Sequence, residues 1–155
     1  MSGVRIGIPL WPGSRRIGEL LASAWRMGAD YVEVSLDYPW MNGLRLEEEK
    51  ALRRAVGEWG FRIGVHGPWR DVALASPIEE VWEASLRLFR EKVMRVASML
   101  EADYINMHVS TEENVEDKPI RGAALARGVE AVRLLAEEAW SIGAELTVEN
   151  VPRKL

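Results

Sequence analysis

One junction recurs four times along the chain, and it limits the fold more than any other feature. Met27-Gly28-Ala29-Asp30-Tyr31-Val32-Glu33-Val34, Trp59-Gly60-Phe61-Arg62-Ile63-Gly64-Val65, Leu100-Glu101-Ala102-Asp103-Tyr104-Ile105-Asn106-Met107 and Ile142-Gly143-Ala144-Glu145-Leu146-Thr147-Val148 share one plan. Each closes a helix, usually with a glycine, and within a few residues opens a β-branched run. Residues 4–8 supply a run of the same kind at the start, so five strands are expected.

Four helical stretches lie between them. Ile17, Leu20, Leu21, Ala24 and Trp25 form one apolar stripe, and Leu52, Ala55, Val56 and Trp59 another. The third helix opens on Ser76-Pro77-Ile78-Glu79, which reads as a capping box with proline at the first helical position. Val81, Trp82, Ser85, Phe89, Val93, Val96 and Leu100 are its expected buried face. The fourth is expected to bury Leu125, Val129, Val132, Ala136 and Trp140. Strands alternating with helices predict a parallel sheet with right-handed crossovers.

Two architectures fit that pattern. A five-stranded doubly wound sheet suits 155 residues, whereas a complete (β/α)₈ barrel takes about 250. Doubly wound strands are covered on both faces and should be apolar throughout. Here they alternate. Val32 and Val34 alternate with Glu33 and Ser35, Ile63 and Val65 with Gly64 and His66, Ile105 and Met107 with Asn106 and His108, and Leu146 and Val148 with Thr147 and Glu149. One face can meet helices; the other is small or polar, as in a barrel that opens into an active site. The expected fold is therefore α/β, a TIM-type (β/α) barrel truncated to about five parallel strands and four helices, with residues 1–155 as a single domain.

His66, His108 and Glu149 carry the chemistry. Each stands at or near the C-terminal end of a different strand, on the polar parity, where barrel active sites are built. They include both histidines of the chain. Imidazole and carboxylate together suit a divalent metal such as zinc or manganese, with a position left open for water or substrate. Glu33 reads either as a substrate contact or as a buried carboxylate paired with Arg5 or Arg62. Trp11, Trp40 and Trp69 follow the first three strands and could wall a sugar site, while Trp25, Trp59, Trp82 and Trp140 read as core. Ser14 reads as a cap for the first helix beside Arg15 and Arg16, and Arg70 and Asp71 either touch substrate or one another.

Absence of cysteine excludes disulfides, thiolate metal sites and cysteine nucleophiles. A formal net charge of −4 argues against general nucleic-acid coating. No apolar run approaches the ~18 residues that span a bilayer, and a cytoplasmic location is expected.

Val65-His66-Gly67-Pro68-Trp69 with Leu74-Ala75-Ser76-Pro77, then Tyr104-Ile105-Asn106-Met107-His108, then Leu146-Thr147-Val148-Glu149-Asn150, resembles the third, fourth and fifth strand segments of xylose isomerase-like barrels. That superfamily contains sugar-phosphate isomerases and epimerases and the endonuclease-IV-type apurinic endonucleases. On the endonuclease branch the resemblance implies zinc ligation by His66, His108 and Glu149. On the isomerase branch it implies Glu149 as metal ligand and acid/base, with both histidines at the substrate. Glu33, Trp11, Trp69, Asn106 and Asn150 are the substrate-side residues expected with it. Members draw further ligands and a second carboxylate from the sixth to eighth strands. The expected function is thus a divalent-metal-dependent sugar or sugar-phosphate isomerase or epimerase, incomplete or inactive as this chain alone. The alternatives are an apurinic endonuclease relative and a non-catalytic half-barrel. Two open strand edges predict self-association or a complementing chain.

Overall fold

The computed structural model describes residues 4–11, 17–37 and 44–150. Five strands, β1 (Gly7–Leu10), β2 (Tyr31–Ser35), β3 (Arg62–His66), β4 (Tyr104–His108) and β5 (Glu145–Glu149), form one sheet in the order β1-β2-β3-β4-β5. Every pairing is parallel. Helices α1 (Ile17–Arg26) and α2 (Leu46–Trp59) join the first three strands. The third helix, α3, is α-helical over Glu79–Leu88, π-helical over Phe89–Met94 and α-helical again over Arg95–Leu100, and α4 spans Lys118–Ser141. Arg5, Tyr31, Arg62, Tyr104 and Glu145, at or just before the starts of the five strands, all line one cavity of about 530 Å³. The sheet is therefore curled, as a barrel wall is.

Alternation sorts the strands as expected. Val32, Val34, Ile63, Val65, Ile105 and Met107 are all buried on the helix side, each contributing about 1.5–3 kcal/mol by leaving water. Against them pack Leu21 and Ala24 of α1, Leu52 and Ala55 of α2, Phe89 and Val93 of α3, and Leu135 and Ala139 of α4. Gly28, Gly60 and Gly143 take positive φ at three of the junctions, and at the fourth Glu101 is held there at φ 52°. Among the described residues no helix is long and apolar enough to cross a membrane.

Several local expectations are corrected. The first strand is Gly7–Leu10, not residues 4–8; Val4 and Ile6 are exposed. Pro9 lies inside it, which an edge strand tolerates because it leaves one ladder face unpaired. Ser76 begins no capping box. Helix α3 starts at Glu79 with Ile78 as N-cap, and the Ser76 hydroxyl accepts from the Ile78 amide at 3.1 Å, a local turn competing for a helix-start donor. A reciprocal cap sits instead on α2, where Glu48 accepts from the Arg45 amide at 2.9 Å and pairs with its guanidinium at 2.8 Å. Burial pushes the Glu48 carboxyl up, but the Arg45 hydrogen bonds and charge outweigh it and hold it below the usual range.

The largest correction concerns α4. Its buried residues are Ala124, Gly128, Ala131, Leu135 and Ala139, one position earlier than each residue of the expected stripe. Leu125, Val129 and Trp140 face outward, Trp140 at 80% exposure. The helix sits close to the sheet on small residues: a Cβ on Gly128 would come within 2.8 Å of Val109 Cγ1. Trp25 is likewise no core residue; it is exposed and stacks on Trp59 at 6.1 Å. Val56 and Val81 are also exposed.

Candidate metal centre

Three neighbouring strands end side by side, and their last inward residues meet. In register, His66 pairs with Asn106 and His108 with Glu149. Backbone bonds extend the ladder past the strand ends: the Leu36 amide donates to the His66 carbonyl and the Gly67 amide to the Asn106 carbonyl. Gly67 has to be small, because a Cβ there would lie 2.6 Å from the Phe89 ring. The fully buried Phe89 thus backs the turn that follows His66.

His66 Nε2 and His108 Nε2 are 3.2 Å apart. Glu149 Oε2 lies 3.7 Å from the first and 3.9 Å from the second. A tetrahedral zinc with bonds of about 2.0–2.1 Å has ligand atoms about 3.3–3.4 Å apart, so this triangle needs little adjustment to fit. Both histidines are largely buried, and their Nδ1 atoms have no hydrogen-bond partner among the described residues. Each ring therefore turns Nε2 to the shared centre. Two imidazole nitrogens and a carboxylate oxygen converging on one point form a donor set that could hold a divalent metal.

The other residues singled out in the sequence divide. Asn106 joins the cluster, its amide donating to Glu149 Oε2 at 2.7 Å. Trp69 packs beside it, 6.4 Å from the His108 ring, with the Arg70 guanidinium 4.7 Å above the indole. Arg70 thus stacks on Trp69. Glu33 lies one tier lower, in register with Gly64 and below Ser35 and His66. Neither Arg5 nor Arg62 is its partner: Arg5 donates to the Tyr31 hydroxyl and Arg62 pairs with Asp103. Glu33 accepts from the Tyr104 hydroxyl at 2.8 Å. Burial first, then the Glu33 contact, raises the Tyr104 phenol well above its ordinary value, so it stays a donor. Trp11 is exposed at the opposite edge of the sheet from Glu149, and Asn150 is exposed directly after β5. Trp40, Ser14, Arg15 and Arg16 lie outside the described residues.

Sequence reasoning gave no role to two residues beside this cluster. Thr147, inward on β5, donates its hydroxyl to Asn106 Oδ1 at 3.1 Å. Asp37, two residues past Ser35 on the same parity, is buried; one oxygen accepts from the Trp69 amide at 3.0 Å while the other has no partner among the described residues. Continuing the β2 alternation by two residues would have found Asp37. Nothing in the sequence separates Thr147 from an ordinary strand threonine.

The family profile described as xylose isomerase-like TIM barrel matches residues 21–155. The chain belongs to this family. Solved structures agree on the fold. D-allulose 3-epimerase from Methylomonas sp. is 21% identical over 97% of this chain and 52% of its own, with a TM-score of 0.73. A Thermus thermophilus protein whose crystal was soaked with zinc chloride is 27% identical over 94% and 55%, with a TM-score of 0.67. Endonuclease IV from Thermus thermophilus is 18% identical over 96% and 52%, with a TM-score of 0.60. The chain spans about half the length of these structures. No curated protein matches it.

Proposed function

We propose that this xylose isomerase-like chain binds one divalent metal, zinc or manganese, through His66, His108 and Glu149, as part of an isomerase or epimerase site for a small sugar or sugar phosphate. The convergence of the two Nε2 atoms and Glu149 Oε2 carries the reading. A metal held there would supply Lewis acidity to a substrate carbonyl or hydroxyl oxygen. The chain's own part is positional. The two imidazoles, fixed by neighbouring strand ends, define where substrate oxygens sit. Glu149, half exposed at 52% of its side-chain surface, can take or return a proton at an adjacent carbon. Trp69 and its stacked Arg70 form one wall. Such a reaction moves a proton between two positioned groups. Glu149 is one of them, and the second lies outside the three-residue cluster.

Phosphodiester hydrolysis is the lesser reading. It asks for a basic face, and the loop over residues 111–117 carries Glu112, Glu113, Glu116 and Asp117.

Elemental mass spectrometry on the purified chain, without chelator, tests the metal reading. About one zinc or manganese per chain is expected; no metal after supplementation with either ion overturns it. The open edges of β1 and β5 add a second expectation: a further copy or a complementing chain pairs with them, bringing the missing group. Val148 on β5 is 52% exposed, a liability for a strand edge left in water. Light scattering should find a concentration-dependent assembly, and a monodisperse monomer across the micromolar range would contradict it.

A further inference from the structure

Glu149 ends an edge strand and carries a long, half-exposed side chain, so nothing in its backbone position alone holds its carboxylate toward the imidazoles. What holds it is a relay across two strands. Asn106 Nδ2 donates to Glu149 Oε2 at 2.7 Å, and Thr147 Oγ1 donates to Asn106 Oδ1 at 3.1 Å. The same Thr147 hydroxyl is 3.3 Å from the Ile105 carbonyl. Direction in this relay is fixed chemically. An ionised carboxylate only accepts, so the Asn106 amide nitrogen must face Glu149 and its oxygen must face Thr147, whose hydroxyl can donate. The oxygen that Asn106 grips is also the one that lies 3.7 and 3.9 Å from the two Nε2 atoms.

We infer that Asn106 and Thr147 are positioning residues that preset Glu149 for the metal. Asn106 occupies one side of Oε2 and leaves the other turned to His66 and His108; Oε1 carries no part of this relay and remains for other contacts. Glu149 thereby gives up its rotamer freedom before a metal arrives, which raises affinity without any added ligand. Outer partners of metal ligands act in this way, and their loss weakens binding by about 10–100-fold. The inference rests on the metal reading above, and it assigns the residues that decide how tightly that metal is held.

The test is zinc affinity by chelator competition on the whole chain, together with the visible spectrum of the cobalt form and the melting temperature of the metal-free form. Asn106→Ala is expected to weaken zinc about 10–100-fold and to alter the cobalt spectrum. Thr147→Val, which removes only a hydroxyl from an exposed position, should shift both in the same direction by less. Thr147→Ser restores the donor and should return the parent values. The metal-free melting temperature should not move, whereas a merely structural role would move it. Should Asn106→Ala fail to fold, Thr147→Val against Thr147→Ser decides the matter. Parent-like zinc binding in both Asn106→Ala and Thr147→Val, with loss in Glu149→Gln, overturns this inference and leaves the metal reading standing. A parent chain that binds neither zinc nor manganese overturns both.

Discussion

Phe89→Ala should lower the unfolding free energy by about 3–5 kcal/mol, a large share of the roughly 5–15 kcal/mol available to a domain. Its ring is fully buried at the first residue of the π-helical turn. It also fills the space that Gly67 leaves open, one residue after His66. Truncation therefore creates a cavity with strand on one side and helix on the other, and neither can close it without moving the sheet. Urea unfolding should report the loss as a lower midpoint at unchanged slope. Phe89→Leu, which keeps most of the volume, should cost clearly less. A loss under about 1 kcal/mol for the alanine variant would mean that the Gly67 turn collapses into the gap, and the rigid support inferred for His66 would be wrong.

His66→Ala should bring bound metal below detection, a greater loss than the ~10–100-fold expected from an outer partner. Its Nε2 is the corner nearest both other donors, at 3.2 Å from His108 and 3.7 Å from Glu149. Taking it away leaves one imidazole and one carboxylate, too few protein donors for a zinc site. The fold should survive, because the ring points into the hollow of the barrel wall and supports none of the helices. Metal content equal to the parent in this variant would place any bound ion elsewhere. Far-UV circular dichroism on the same sample keeps that result apart from unfolding.

The strands and their two faces could be read from the sequence because alternation is a two-residue signal that tertiary packing reinforces. The same parity that buries Val65 and Met107 carries His66 and His108 to the other side. Where the reading failed, side-chain size misled it. On α4 the large residues were expected inside, yet Gly128 and three alanines lie there beside Leu135, and at Gly128 a Cβ would already come within 2.8 Å of Val109. The first strand was misplaced because Val4 and Ile6 look more strand-like than Gly7 and Pro9, although the pairing falls on Gly7–Leu10. Partners were harder still. Glu33 has two arginines within plausible reach in sequence terms, but Gly64 lets the Tyr104 ring lie across its strand, where a Cβ would sit 2.2 Å from the ring. The hydroxyl thereby reaches Glu33 first. Pairings of this kind depend on which neighbour lacks a side chain, and one-dimensional patterns do not encode that.

The outward face of α4 has a practical consequence at the bench. Leu125, Val129 and Trp140 present an oily strip while the residues beneath them are tightly seated. Solvatochromic dyes such as ANS light up on surfaces of this kind, and such fluorescence is commonly taken as the mark of a loosened, molten state. For this protein a bright dye signal at low temperature belongs to the intact fold, and melting is better followed by circular dichroism or calorimetry than by dye uptake.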